Sequence, residues 1–242
     1  MGHFINPDYV KLYESRGTED YHHKIFMRNS VLLMDLLIFI PATVIFVKLL
    51  KSSQDWQMQN LAMFLVYPGL ILIDHGHFQY NNVSLGLFIL GVGLILQNRI
   101  LWASMTFILA LSYKQMELYH ALPFFFYLLG LCLRKEPNWS SAVTKLTKIG
   151  TVVILTFCAV WWPFLQDFDQ LKQVLVRIFP LNRGLFEDKV SNVWCTVTVV
   201  YKLKEIFDQQ TLAMVSAAIT LLSKMIFNTD LGSLKGIFDW IF

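Results

Sequence analysis

The sequence predicts an all-α, polytopic transmembrane helical bundle, on three observations. Of 242 residues, 55% are hydrophobic and 15% charged, whereas an ordinary soluble domain has about 45–50% and about 25%. The apolar residues gather in runs approaching the ~20 residues a helix needs to cross ~30 Å of hydrocarbon, and short polar islands separate the runs. The chain also carries 7 Trp and 9 Tyr, amphipathic rings that suit membrane–water interfaces. A formal net charge of +3 provides no basic footprint, so the expected partner is the lipid bilayer and no nucleic acid. Cys132, Cys158 and Cys195 include no CxxC pair, and their odd number argues against a disulfide framework.

Taken in order, Asp8 to Arg28 has aromatic and aliphatic residues at a spacing that suits short amphipathic surface helices. Val31 to Leu50 is the first full span, with Asp35 near its start, Pro41 near its centre and Lys48 and Lys51 at its far end. Asp35 lies one turn in and reads as a helix-start carboxylate near the headgroups. Leu61 to Ile73 is a shorter apolar run interrupted by Pro68-Gly69. Val83 to Leu96, a tight Gln97-Asn98-Arg99 turn and Ile100 to Leu111 follow, then His120 to Leu133. Glu136 to Lys148 reads as a basic connection, and Ile149 to Leu165 as a span closed by Trp161-Trp162-Pro163, an aromatic belt followed by a helix stopper. Leu171, Val174, Leu175 and Ile178 have the spacing of an amphipathic interfacial helix. Thr211 to Phe227 is the last span.

Charge sets the expected topology. Arg134, Lys135, Lys145 and Lys148 crowd one connection, which the positive-inside rule places in the cytoplasm. Counting spans from there puts Asp74 to Asn82, Tyr113 to Leu118 and Gln166 to Asn192 together on the opposite side.

These polar islands hold the candidate chemistry, because polar groups beside a lipid core are expensive to maintain without a function. The first is D-H-G-H-F-Q-Y-N, from Asp74 to Asn81. His77, Gln79, Tyr80 and Asn81 offer donors and acceptors to a polar substrate. Two alternatives remain open: a metal held by His75 and His77 with Asp74, although alternation by two places the histidines on opposite faces of a helix, and a loop whose side chains merely satisfy helix ends. The second island is S-Y-K-Q-M-E-L-Y-H, from Ser112 to His120. There Lys114 could neutralise a lipid phosphate, or pair with Glu117 at the interface. The third contains F-P-L-N-R-G-L-F-E-D-K-V, from Phe179 to Val190. Arg183 has the forked geometry that suits phosphate, and Glu187 and Asp188 could orient hydroxyls or serve in acid–base steps; an interfacial turn with a helix start is the simpler alternative. The N-x-S sequons at Asn82 and Asn138 are poor glycan candidates, one close to a span and the other on the cytoplasmic side.

H-F-Q-Y-N at His77–Asn81, Y-K-Q-M-E-L-Y-H-A-L-P-F at Tyr113–Phe124 and R-G-L-F-E-D-K-V-S-N-V-W-C at Arg183–Cys195 closely resemble motifs of the dolichyl-phosphate-glucose-dependent α-1,3-glucosyltransferases of the endoplasmic reticulum. The resemblance runs in order from about Phe4 to about Leu222. It is stronger to the branch adding the first glucose to the lipid-linked oligosaccharide than to the branch adding the second. It implies a multi-pass fold of the GT-C type in the endoplasmic reticulum membrane with a lumenal active site, a dolichyl phosphate glucose donor and a dolichyl-diphosphate-linked high-mannose oligosaccharide acceptor. The reaction would invert at the sugar carbon, one base taking the acceptor proton while the leaving dolichyl phosphate is stabilised electrostatically. No cofactor, metal or nucleotide is expected, in keeping with a sequence that lacks a Gly-rich phosphate loop.

On this resemblance His77, Gln79, Tyr80 and Asn81 would line the sugar pocket, and Lys114 and Arg183 would meet the donor phosphate. Gln115, Glu117, His120, Glu187 and Asp188 would bind hydroxyls or orient those cations. The expected organisation is a lumenal or interfacial amphipathic segment over residues 1–30, a multi-span domain over 31–227 with its longest polar loop at 166–200, and an atypical tail over 228–242. The family's acidic lumenal segment, the expected source of the base, would precede Phe4, and further spans would follow Leu222. The expectation is therefore a fragment or truncated isoform, impaired when alone. Two other classes fit less well. A transporter or channel would place charges near the midplane of facing helices, and a non-catalytic membrane protein would bind dolichyl phosphates without turnover.

Overall fold

The computed structural model describes residues 5–10, 20–135, 138–178, 196–198, 201–202 and 206–227, and it contains no strand among them. The all-α prediction holds. Among the described residues four helices are long and apolar enough to cross a membrane: Tyr21–Leu49, Gln54–Gly76, Gln115–Leu133 and Trp139–Phe164. The chain forms two compact units, Met1–Lys114 and Gln115–Phe242.

The first unit is built on α1, Tyr21–Leu49. It starts ten residues before the apolar run because Asp20 caps it, accepting hydrogen bonds from the His22 and His23 backbone amides. Of the stretch up to Arg28, expected as short surface helices, Tyr21–Arg28 is thus continuous with the first span and Pro7–Val10 forms a 3-10 turn, while residues 11–19 lie outside the described residues. At Asp35–Phe39 the helix widens into a π turn, closed by a bond from the Ile40 N–H to the Asp35 carbonyl. Pro41 explains that position, since it cannot donate to the carbonyl four residues back and its ring crowds the preceding turn. Asp35 therefore sits at the mouth of an opened helical turn.

After α2, Gln54–Leu65, the chain turns at Tyr67-Pro68 into α3, residues 68–76. Its second part, Ile71–Gly76, is again π-helical. The island then crosses four non-helical residues, His77 to Tyr80, to α4, Asn81–Leu96. Phe78 has a left-handed φ of 57°, unusual for a bulky side chain, and the Arg28 guanidinium of α1 stacks 5.1 Å from its ring centre. The tight turn after α4 has Asn98 at φ 58°, a conformation Asn tolerates. It leads to α5, Ile100–Tyr113.

Helices α1, α4 and α5 enclose the core. Val31, Phe39, Phe46 and Val47 of α1 pack with Val83, Phe88, Val92 and Ile95 of α4 and Ala103, Phe107 and Ile108 of α5, all buried. The Phe88 and Phe107 rings meet edge to face at 6.2 Å. Small residues set the approach of the helices. A Cβ on Gly86 would lie 2.9 Å from the Phe39 Cα, and one on Gly91 would lie 3.0 Å from the Thr106 hydroxyl. By contrast, none of the best apolar window of Gln54–Gly76 is buried, leaving Met58, Met63, Val66 and Leu72 exposed, as a lipid-facing surface would be.

In the second unit a short 3-10 turn, Gln115–Glu117, leads into α6, Leu118–Lys135, which packs on α7, Trp139–Trp161. The segment read as a basic connection is largely helical, so Lys145 and Lys148 lie on the opening turns of α7. With 23 residues at about 1.5 Å each, α7 is about 35 Å long, more than the ~30 Å of hydrocarbon. Its polar first turns can therefore stand beyond the apolar layer. Trp162–Phe164 closes it with a 3-10 turn at Pro163. The amphipathic α8, Phe168–Ile178, and α9, Gln209–Phe227, form where the sequence placed them.

The close contact at Gly86 yields a test. Gly86→Leu should force α4 away from the π turn of α1 and destabilise the fold by about 1–3 kcal/mol. Thermal unfolding in detergent should show the lower midpoint.

Candidate functional site

The first island folds into a hydrogen-bonded cluster in which two carboxylates lie inside the helical unit. Asp74, on the π turn of α3, is 0% exposed and Asp35, on the π turn of α1, is 7% exposed. Each accepts a hydrogen bond from the start of α4. The Tyr80 side chain provides no cap for that helix. Asp74 does so from a distance, its Oδ2 accepting the Asn82 backbone N–H at 2.7 Å, so a negative charge meets the positive end of the helix dipole. Asp74 Oδ1 accepts from Asn81 Nδ2 at 2.7 Å. Asp35 Oδ2 accepts from Asn82 Nδ2 at 3.1 Å and lies 2.8 Å from His75 Nε2. An ionised carboxylate only accepts, which places the imidazole proton on Nε2. Two buried acceptors, Asp35 Oδ1 and Asn82 Oδ1, have no partner among the described residues.

On the outer side of this cluster lies Lys114, just past the end of α5 and half-buried. Its ammonium donates to Gln79 Oε1 at 3.0 Å and to Asn81 Oδ1. Asn81 Nδ2 also approaches Gln79 Oε1 at 3.3 Å. Burial pulls the Lys114 ammonium below the ordinary lysine range, and the negative charge of Asp74 opposes that shift. Among the described residues no carboxylate lies within salt-bridge distance of Lys114. The Tyr80 hydroxyl lies 2.6 Å from the Ser30 hydroxyl of α1, and the Tyr80 ring meets Tyr113 edge to face at 6.1 Å.

Gln79, Tyr80, Asn81 and Lys114 are therefore brought together. His77 is exposed and makes no side-chain hydrogen bond among the described residues. Among the described residues no three His, Cys, Asp or Glu gather as metal ligands; His75, one of the residues considered for that role, bonds Asp35 instead. In the second unit Gln115 is exposed, while Glu117, 2% exposed, holds His120 Nδ1 at 2.8 Å through Oε2. An i,i+3 pair thus forms there, and the Lys114–Glu117 pair weighed from the sequence is absent among the described residues. Arg183, Glu187 and Asp188 lie outside the described residues.

Sequence reasoning did not select Ser30, Asp35 or Asn82 as site residues, and it weighed Asp74 only as a metal ligand beside His75 and His77. Asp35 was read as a headgroup-level carboxylate, yet it lies inside the unit. The available signal was an acid within an apolar span six residues before a proline, where a π turn can hold it inward. Asn82, a sequon residue, is 4% exposed, so its amide serves the fold.

Membrane-length helices and a polar cluster with a charged amine at its edge define an integral membrane protein with a candidate site for a polar, anionic ligand. Comparison with known proteins gives the family. Residues 1–234 match the ALG6, ALG8 glycosyltransferase family, and the chain belongs to it. A chicken protein named dolichyl pyrophosphate Man9GlcNAc2 alpha-1,3-glucosyltransferase is 49% identical over 220 residues, covering 90% of this chain and 43% of the relative. A Drosophila melanogaster protein given that name as probable is 42% identical over 248 residues, covering 99% of this chain and 52% of the relative. A similarly named Schizosaccharomyces pombe protein is 40% identical over 235 residues, covering 92% and 44%. The chain thus spans about half the length of these relatives.

The Asp35 contacts can be tested for their stabilising role. Asp35→Ala would leave Asn82 Nδ2 and His75 Nε2 without their acceptor, at about 1–3 kcal/mol for the buried amide and less for the half-exposed imidazole. Asp35→Asn keeps an acceptor oxygen and should lose less. Unfolding midpoints of the two variants should fall in that order below the parent.

Proposed function

We propose that this chain forms part of the donor site of a glucosyltransferase. The enzyme would move glucose from dolichyl phosphate glucose to a dolichyl-diphosphate-linked high-mannose oligosaccharide, at the lumenal face of the endoplasmic reticulum membrane. Family membership and the relatives' names support the acceptor class and the transferred sugar. The observation that supports a donor role is Lys114, a half-buried cation held by two neutral side-chain oxygens and lacking an anion among the described residues.

A lysine so placed is a point charge suited to phosphate. In transfer from a lipid phosphate, negative charge builds on the leaving phosphate as the sugar departs. An ammonium already oriented toward it stabilises that charge more in the transition state than in the ground state. Gln79, Tyr80, Asn81 and His77 would bind sugar hydroxyls. Gln115 and the Glu117–His120 pair would bind hydroxyls on the second unit. Arg183 would be a second phosphate contact, oriented by Glu187 and Asp188.

Kinetics can test these roles after the matching segment of a full-length relative is replaced by that of this chain. Lys114→Met should raise the KM for dolichyl phosphate glucose about ten-fold or more, the value of one charge-assisted hydrogen bond, with little change for the oligosaccharide acceptor. Arg183→Ala should also weaken donor use more than acceptor use. Equal effects on both substrates would remove these residues from the donor site.

A further inference from the structure

We infer that Asp74 is a positioning residue for Lys114: it fixes the Asn81 amide so that Asn81 Oδ1 faces the ammonium, and it places negative charge behind the lysine without contacting it. The functional half of this inference rests on the reading of Lys114 as a phosphate-binding group; the geometric half does not.

Both Asp74 oxygens are engaged by the start of α4, one by the Asn82 backbone N–H and the other by Asn81 Nδ2. An amide side chain has a donor end and an acceptor end of nearly the same shape. A buried carboxylate that only accepts removes the ambiguity. Asn81 must turn its NH2 to Asp74, and its oxygen is then left for Lys114. Gln79 Oε1 agrees with that direction, accepting from both Asn81 Nδ2 and Lys114 Nζ. With Asn81 reversed, its NH2 would face the ammonium and its oxygen would face a carboxylate. One acid thus sets the direction of a hydrogen-bond chain that ends on the lysine.

Its remoteness also matters. Among the described residues of the first unit, the titratable groups around Lys114 are Asp74 on α3, Tyr80 ahead of α4 and Tyr113 at the end of α5, with the Asp35–His75 pair beyond Asn82. Among these, Asp74 is the one whose charge reaches Lys114. A carboxylate in direct contact would compete with an anionic ligand. One step removed, it favours the charged amine and leaves that competition out.

The test uses Asp74→Asn and the exchange variant Asp74→Asn with Asn81→Asp. In this chain, the pH dependence of Lys114 modification by an amine-reactive reagent is followed by peptide mass spectrometry. Asp74→Asn removes a charge that raises the Lys114 pKa, so the inflection should move to lower pH. The exchange variant restores a consistent direction of donors and acceptors but brings a carboxylate onto the ammonium, so its inflection should move above the parent's. In the full-length graft, Asp74→Asn should raise donor KM about ten-fold with acceptor KM unchanged, and donor KM should begin its alkaline rise at lower pH than in the parent. The exchange variant should keep the raised donor KM. An unmoved inflection in folded Asp74→Asn would overturn the inference, as would donor and acceptor KM rising together. Should Asp74→Asn fail to fold, the exchange variant decides: an upward inflection supports the inference and an unmoved one ends it. If Lys114→Met leaves donor KM unchanged, the phosphate reading fails, while the labelling shift still decides whether Asp74 governs Lys114.

Discussion

A carboxylate taken out of water has to find hydrogen-bond donors nearby, and the first unit is organised by the way it meets that demand twice. Asp74 and Asp35 sit on different helices and both accept hydrogen bonds from the opening residues of α4. An α-helix begins with unpaired N–H groups, so the start of α4 is a natural partner for buried acids. The two acids join α1, α3 and α4 at one level of the bundle. The non-helical residues between α3 and α4, which carry Gln79 and Tyr80, are held between these fixed points.

Opened helical turns make the arrangement possible. Both acids lie on π-helical segments, and such turns shift the direction of the side chains they carry. In α1 the cause is visible in Pro41. Gly86 then lets α4 approach the backbone at Phe39, the last residue of that turn. The left-handed Phe78, steadied by Arg28, carries the chain from the end of α3 toward α4. Bulky residues rarely adopt such a conformation unless neighbours enforce it, and here the neighbour belongs to the same helix as Asp35.

Much of the fold was legible because the apolar runs are long and their ends are marked. Trp161-Trp162-Pro163 ended a helix as its residues dictate, and Leu171, Val174, Leu175 and Ile178 formed the amphipathic helix their spacing required. Helix starts were less legible. Tyr21 and Trp139 begin helices well before the apolar runs, because capping and backbone propensity operate outside hydrocarbon as well as inside it. At the site, the first two polar islands identified Gln79, Tyr80, Asn81 and Lys114. It could not identify Asp35 or Asn82, whose importance lies in a pairing 47 residues apart in the chain. Hydropathy places an acid in a span but does not say which way it turns.

The cluster separates two tasks that a single ion pair would confuse. A charged amine near an apolar layer needs compensation, yet an amine fully neutralised by its own acid has little attraction left for a substrate anion. Here the carbonyl oxygens of Gln79 and Asn81 solvate the ammonium as water would, while the balancing charge stays behind Asn81. Neutral acceptors are displaced or stretched by an arriving phosphate at smaller cost than a carboxylate, since no full charge has to be separated in low dielectric. On the proposed donor role, the same property would matter when a lipid phosphate leaves with its added charge, because the lysine would tighten onto it without first breaking an ion pair. The hydrogen-bond direction inferred for Asp74 and the absence of a contacting acid among the described residues are therefore complementary features of one electrostatic arrangement.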